Sequence, residues 1–204
     1  MEYLIVNKIN SFSGHPQTFF ASCQNLTESH TNFATVIKKI RSPMKVFVLQ
    51  WNPEISSYHM ENFNADLANF EGEWFNWSVW DWKEAYDGDM FYLIKCGGEG
   101  ANGIVMQGHF VSDPYAGEDW SGKGRLTYYM DLEPEYMINP LRCEILTTEA
   151  LDEAMPEFQW KGGHSGRVVP FEYALKLEEM WIAYLESHKD IFDGNNAVSL
   201  EDID

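Results

Sequence analysis

Four patterns in this 204-residue chain have residue types and spacings that could do chemistry. "GEGANG", Gly98 to Gly103, fits G-x-G-x-x-G literally. That motif cradles a pyrophosphate only where its glycines open a helix, and the residues that follow, "IVMQGHFV", are strand formers. The glycines are read as a hairpin loop. "GGHSGR", Gly162 to Arg167, sets His164 beside Ser165, but Arg167 stands where G-x-S-x-G needs its second glycine. A serine hydrolase is not indicated. Carboxylates pair as Asp87 with Asp89, and as Asp131, Glu133 and Glu135 around Pro134. Both sets sit at turns or strand ends, where solvated acids are commoner than a general acid and base. The 6 histidines show neither HxxxH nor HExxH spacing, so no metal centre is expected. No catalytic residue is assigned. The weakest reading, an enzyme acting on a nucleotide-like substrate, would have to draw on Asp81, His109, Asp113 and His164.

The fourth pattern is aromatic. "EWFNWSVWDW", Glu73 to Trp82, holds Trp74, Trp77, Trp80 and Trp82. An indole presents roughly 150 to 250 Å² of mostly apolar surface, so each ring should lie against protein or against a ligand. No single period buries all of them: Trp74, Trp77 and Asp81 would share a helical face, whereas Trp80 and Trp82 alternate as on a strand. The segment reads as a bent loop or strand entry, with some rings inward and at least one at a pocket mouth. Trp51, Trp80, Trp120 and Trp160 fall at strand ends or in loops, where rings from separate segments could sandwich a flat molecule. Stacking a base on such a ring is worth about 1 to 3 kcal/mol and needs little phosphate contact.

The elements that must position these residues begin at Met44. Residues 1–43 read as an extension with one helix, Phe33, Val36, Ile37 and Ile40 sharing a face. "KVFVLQW" is a buried strand stopped by Asn52-Pro53, followed by a weak helical pattern from Ile55 to Phe70. "MFYLIKC" and "GIVMQGHFV" form a hairpin, "SDPYAGEDWSGKG" is a long turn-rich connection, "RLTYYMDLE" a strand and "LRCEIL" a short strand. "TTEALDEAM" is a helix capped by Thr147 or Thr148, and Pro170 opens a helix with Tyr173, Leu177, Met180, Trp181 and Tyr184 on one face. Residues 189–204 read as an acidic, disordered tail. This pattern suggests a small, partly closed β-barrel flanked by helices, with an α+β sandwich as the rival.

The formal charge of −18, from 14 basic and 32 acidic residues, opposes binding to nucleic acid through its phosphates. Lys123, Arg125 and Arg167 are the residues best placed for local phosphate contact. Cys23, Cys96 and Cys143 form no close pair and read as buried thiols. With no apolar run of membrane length and no signal peptide at the amino terminus, a cytoplasmic protein is expected, and no membrane partner.

From Lys45 to Leu185 the chain resembles the PUA-like domains of the EVE, YTH and ASCH group, most closely the EVE type. The resemblance rests on "VFVLQWNPE", "NWSVWDW", "YDGDMFYLIKC", "GIVMQGHFVSDPY", Trp120, "FQWKGGHSGRVVP" and the helix carrying Trp181, in that order. It implies an α+β fold, a bent and partly closed barrel of about five to six strands with flanking helices, over residues 44–188. It also implies a non-enzymatic module, without cofactor, that holds a planar modified nucleobase in an aromatic cage. Trp80 maps to one wall and Trp120 to a second, while Trp51, Asn52 and Pro53 map near the pocket. Trp77, Ser78 and Trp160 are weaker matches, and Ser78, Asn52 and Asp81 could read the polar edge of the base. The base would come as a free nucleotide or from single-stranded or flipped-out nucleic acid. Met44 to Leu185 carries 9 basic against 24 acidic residues, a balance of −15, unlike the basic face usual in relatives that bind polymer. The ASCH pattern G-x-K-x-x-E-x-R is not present. The competing reading is an acidic protein-interaction module or nucleic-acid mimic that uses the barrel as scaffold.

Overall fold

The computed structural model describes residues 44–69, 75–192 and 196–199. The extension expected over residues 1–43, and Trp74, lie outside the described residues.

Val46-Phe47-Val48-Leu49 is a continuous run of branched and aromatic side chains, the composition of a strand covered on both faces. It becomes β1 (Val46–Trp51), all but one of whose residues are buried. Next come α1 (Met60–Ala68), β2 (Phe75–Ser78), a 3-10 turn (Trp82–Glu84), β3 (Met90–Lys95) and β4 (Gly103–Phe110). The second half contains β5 (Tyr115–Glu118), β6 (Leu126–Ile138), α2 (Thr148–Ala154), β7 (Arg167–Val168), α3 (Phe171–Ser187), a 3-10 turn (Lys189–Phe192) and β8 (Ala197–Ser199).

All eight strands join one mixed sheet, six of them in the order β2-β6-β4-β3-β1-β7. β1 runs parallel to β3, so the chain must cross over between them, and that crossover carries α1 and β2. β3 and β4 form the expected antiparallel hairpin, and "GEGANG" makes its loop and the first residue of β4. The long β6 is the spine of the bend. At Leu132 it is paired with Phe75 on one edge and Phe110 on the other, and at Tyr129 with Ser78 and Tyr115. Thus β2 and β8 share one edge of β6, and β4 and β5 share the other. The result is an α+β fold: a curled, partly closed barrel with flanking helices.

α3 buries Leu177, Trp181 and Tyr184 of the expected stripe together with Ala174, while Tyr173 and Met180 are only partly buried against the core. Its Trp181 ring meets Tyr92 and Tyr136 edge-on, at centroid distances of 5.8 and 5.9 Å, which seats the helix against β3 and β6. α1 places Phe63 on the Trp51 ring, 5.1 Å between centroids, covering the end of β1. α2 is capped as expected, the Thr147 hydroxyl accepting the Ala150 N–H. No described helix is long and apolar enough to cross a membrane.

Three expectations are corrected. "LRCEIL" is not a strand, because the Arg142 and Cys143 N–H groups both donate to the Asn139 carbonyl in a helical-type turn, leaving one isolated bridge between Gly103 and Thr147. "YAGE", inside the expected long connection, is strand β5, its alternation hidden by the two adjacent small residues Ala116 and Gly117. The tail is structured in part: Ala197–Ser199 pairs with Tyr136–Ile138, burying Ala197.

Candidate functional site

The site starts at the end of β1, where Gln50 makes three hydrogen bonds to the loop before β7. Its backbone N–H donates to the Ser165 hydroxyl at 2.9 Å, and its side-chain N–H donates to the Trp160 carbonyl at 2.8 Å. Its side-chain oxygen accepts the Gly162 N–H at 3.0 Å. A glutamine has both a donor and an acceptor end, and here both are spent on shaping one loop.

The same loop is pinned from the other side by the residues after β2. The Trp80 N–H donates to the Ser165 carbonyl and the Asp81 N–H to the Gly166 carbonyl, each at 2.9 Å. Gly166 has φ +77°, and a Cβ there would overlap the Val79 backbone, so this close approach needs glycine. The Asp81 carboxylate accepts the Val168 N–H at 2.9 Å.

Ser165 therefore has a positioning task. Its oxygen accepts the Gln50 N–H and the Trp77 indole N–H, both at 2.9 Å. Two lone pairs are then occupied, and what the hydroxyl has left to offer is its own proton. His164 does not serve it as a base: the imidazole lies flat on Trp80, centroids 3.5 Å apart and planes 3° from parallel.

Beside this loop opens a cavity of about 1110 Å³, at the upper end of the sizes usual for small-molecule sites. Three stretches of chain give it aromatic walls. Tyr58 comes from the loop before α1, Phe75 and Trp77 from β2, and Tyr115, Trp120 and Tyr129 from β5, the turn after it and β6. Between the rings, amide and hydroxyl groups face the space, among them Asn52, Asn62, Asn76 and Ser78. Among the described residues the lining contains Glu118 and neither lysine nor arginine.

The tyrosines are held as neutral donors. Burial and then the Asp66 carboxylate, which accepts the Tyr58 hydroxyl at 2.6 Å, push the Tyr58 phenol far above its ordinary value. Tyr115 donates to Asp131 at 2.8 Å and is pushed up to about 12, burial being the first cause and that hydrogen bond the second. Tyr129 donates to the Glu118 carbonyl at 2.9 Å and is raised by burial. Burial likewise keeps the Cys96 thiol protonated above its usual range.

Of the residues singled out from the sequence, Trp77, Trp120, Asn52 and Ser78 line the cavity. Trp80 stands beside it, 58 % exposed, and reaches the lining through His164. Trp51 and Trp160 are not cage walls. Both are fully buried, with indole N–H groups donating to the Tyr58 and Met155 carbonyls. Asp81 is occupied by the Val168 N–H and does not line the cavity. The three expected phosphate contacts do not face the cavity either. Arg125 is paired with Asp119 at 2.8 Å. Arg167 donates to the Gln159 and Gly162 carbonyls and lies 5.1 Å over the Phe158 ring, and Lys123 sits exposed in the β5–β6 turn.

The sequence reading missed Tyr58, Phe75, Tyr115 and Tyr129 as walls. Alternation puts Phe75 and Trp77 on one face of β2, but the register pairs Trp77 with Met130 and Ser78 with Tyr129, so Tyr129 shares a face with Asn76 and Ser78, and no period within one strand links it to the indole. Among the described residues no group of histidine, cysteine and acidic side chains is arranged to hold a metal ion. No protein-family model matches the chain, and no curated protein matches it.

Proposed function

We propose that the protein is a PUA-like, EVE-type binding module that takes a planar, modified nucleobase into the cavity between β1, β2 and the β5–β6 hairpin. One observation carries the reading: aromatic rings from three separate stretches of chain surround one open space whose remaining lining is mostly neutral hydrogen-bonding groups. A flat heteroaromatic ring uses both kinds of wall, its faces against Trp77, Trp120 or Tyr129 and its edge against amides and hydroxyls. The Ser165 hydroxyl, with both lone pairs occupied, supplies a directed donor for a ring nitrogen or carbonyl oxygen.

The base enters free, as a nucleoside, or flipped out of a strand, since a cavity walled by side chains is out of reach of a stacked and paired base. Isothermal titration of the full chain with a panel of methylated nucleosides tests the reading. Saturable binding to at least one, weakened by Trp120→Ala by about 1 to 3 kcal/mol, supports it. Binding that is indifferent to Trp120 refutes it. The rival reading, an acidic protein-interaction module, has no use for the cavity and predicts salt-sensitive capture of a basic protein with Trp120→Ala unchanged.

A further inference from the structure

We propose that the cavity selects a positively charged flat ligand, a nucleobase bearing a cationic N-alkylated ring, over its neutral isomers and over nucleotides. The inference rests on the base-binding reading and adds the charge of the ligand to it.

The charges facing the space are one-sided. Among the described residues Glu118 lines the cavity and no lysine or arginine does, Lys95 and Lys161 acting on it only from behind Cys96. His164, the remaining titratable nitrogen of the lining, is stacked on Trp80. The Glu118 carboxylate accepts the Gly124 N–H at 3.2 Å and makes no ion pair among the described residues. Its neighbour Asp119, by contrast, has its counter-ion in Arg125 at 2.8 Å. An acid without an ion pair among the described residues, in the lining of an aromatic cavity, favours a cation there and penalises a phosphate.

The rings act in the same direction. The faces of Trp77, Trp120 and Tyr129 carry negative electrostatic potential, so a delocalised cation stacked on them gains what a neutral ring of the same shape does not. Of the basic side chains that would have welcomed a phosphate, Arg125 and Arg167 are already spent on Asp119 and on the carbonyls of Gln159 and Gly162, and Lys123 does not line the cavity. The whole chain, at −18, repels anions at longer range as well.

The test uses isomers that differ in charge and little in shape. The full chain is titrated calorimetrically at neutral pH and low salt with N1-methyladenosine, a cation, and with N6-methyladenosine, its neutral isomer, and with the 5′-monophosphate of each. A second pair, 1-methylquinolinium and neutral 4-methylquinoline, reads charge without a nucleoside. The expected result is a preference of about tenfold for each cation, or about 1.4 kcal/mol. The monophosphates should bind more weakly than their nucleosides, and Glu118→Gln should cut the preference for each cation to about threefold, the share left to the ring faces. Equal or tighter binding of N6-methyladenosine, or a preference that Glu118→Gln leaves unchanged, overturns the charge inference and leaves base binding intact. If neither nucleoside binds while 1-methylquinolinium is still preferred in a Glu118-dependent way, charge selection stands and base binding falls. If no flat probe binds, both fall.

Discussion

The indole of Trp80 and the imidazole of His164 lie face to face, 3.5 Å between centroids and 3° from parallel. The contact joins the segment after β2 to the loop before β7, and it brings the one ring of the pair that lines the cavity, His164, against a ring that does not. Trp80 thus acts on the site by holding a neighbour.

Trp80→Ala removes that stack from a position that is 58 % exposed, so the loss of stability should be about 1 kcal/mol, the scale of an aromatic pair. Urea unfolding of the two proteins measures it. A loss of several kcal/mol would mean that the ring is core.

Trp51→Ala and Trp160→Ala should differ sharply from Trp120→Ala. Both buried rings leave cavities and orphan a backbone carbonyl, an effect of about 3 to 5 kcal/mol each. Trp120, 56 % exposed, should change stability by no more than about 0.5 kcal/mol. Denaturant midpoints of the three variants give the comparison.

Ser165→Ala should destabilise by about 1 to 3 kcal/mol, because the Gln50 N–H and the Trp77 indole N–H lose their common acceptor. Cysteine at this position restores the acceptor poorly and should recover little. A hydrolytic nucleophile would instead show a chemical defect with unchanged stability.

Alkaline pH should loosen the site through its tyrosines. The Tyr115 phenol is held at about 12 against an ordinary value of 10.0, so the folded state binds this proton more tightly than the unfolded chain does. The stability it contributes is complete below pH 10 and falls as pH rises toward 12. Tyr58 and Tyr129 shift in the same direction. A spectrophotometric titration of wild type and Tyr115→Phe checks this: the variant should lose one late-ionising phenol and part of the decline in stability over that interval.

Where a segment's own side chains decide its state, the sequence was enough. "VFVL" can only be a covered strand, Pro170 and the Leu177-Trp181-Tyr184 stripe make a helix, and Thr147 caps the one before it. The site was legible as a list of rings but not as a geometry. Trp51 and Trp120 both stand at or just past a strand end, yet one is sealed under Phe63 and the other is open, because burial there depends on α1 and on the β5–β6 turn, which come from elsewhere in the chain. Tyr115 hid in "SDPYAGEDWSGKG", where glycine, alanine and acids mask a four-residue strand whose partner, β6, defines it. Arg125 and Arg167 looked free for phosphate because neither Asp119 nor the carbonyl of Gln159 can be recognised as a partner before the turns that bring them close are known.

The central claim is that a flat ligand enters the cavity that Trp77 and Trp120 line, while Trp51 and Trp160 remain core. Indole N–H resonances of ¹⁵N-labelled protein, followed while a methylated nucleoside is added, read this ring by ring. The account predicts saturable shifts at Trp77 and Trp120 with Trp51 and Trp160 unmoved. Binding that shifts neither Trp77 nor Trp120, or no shift at any indole across the nucleoside panel, would contradict it.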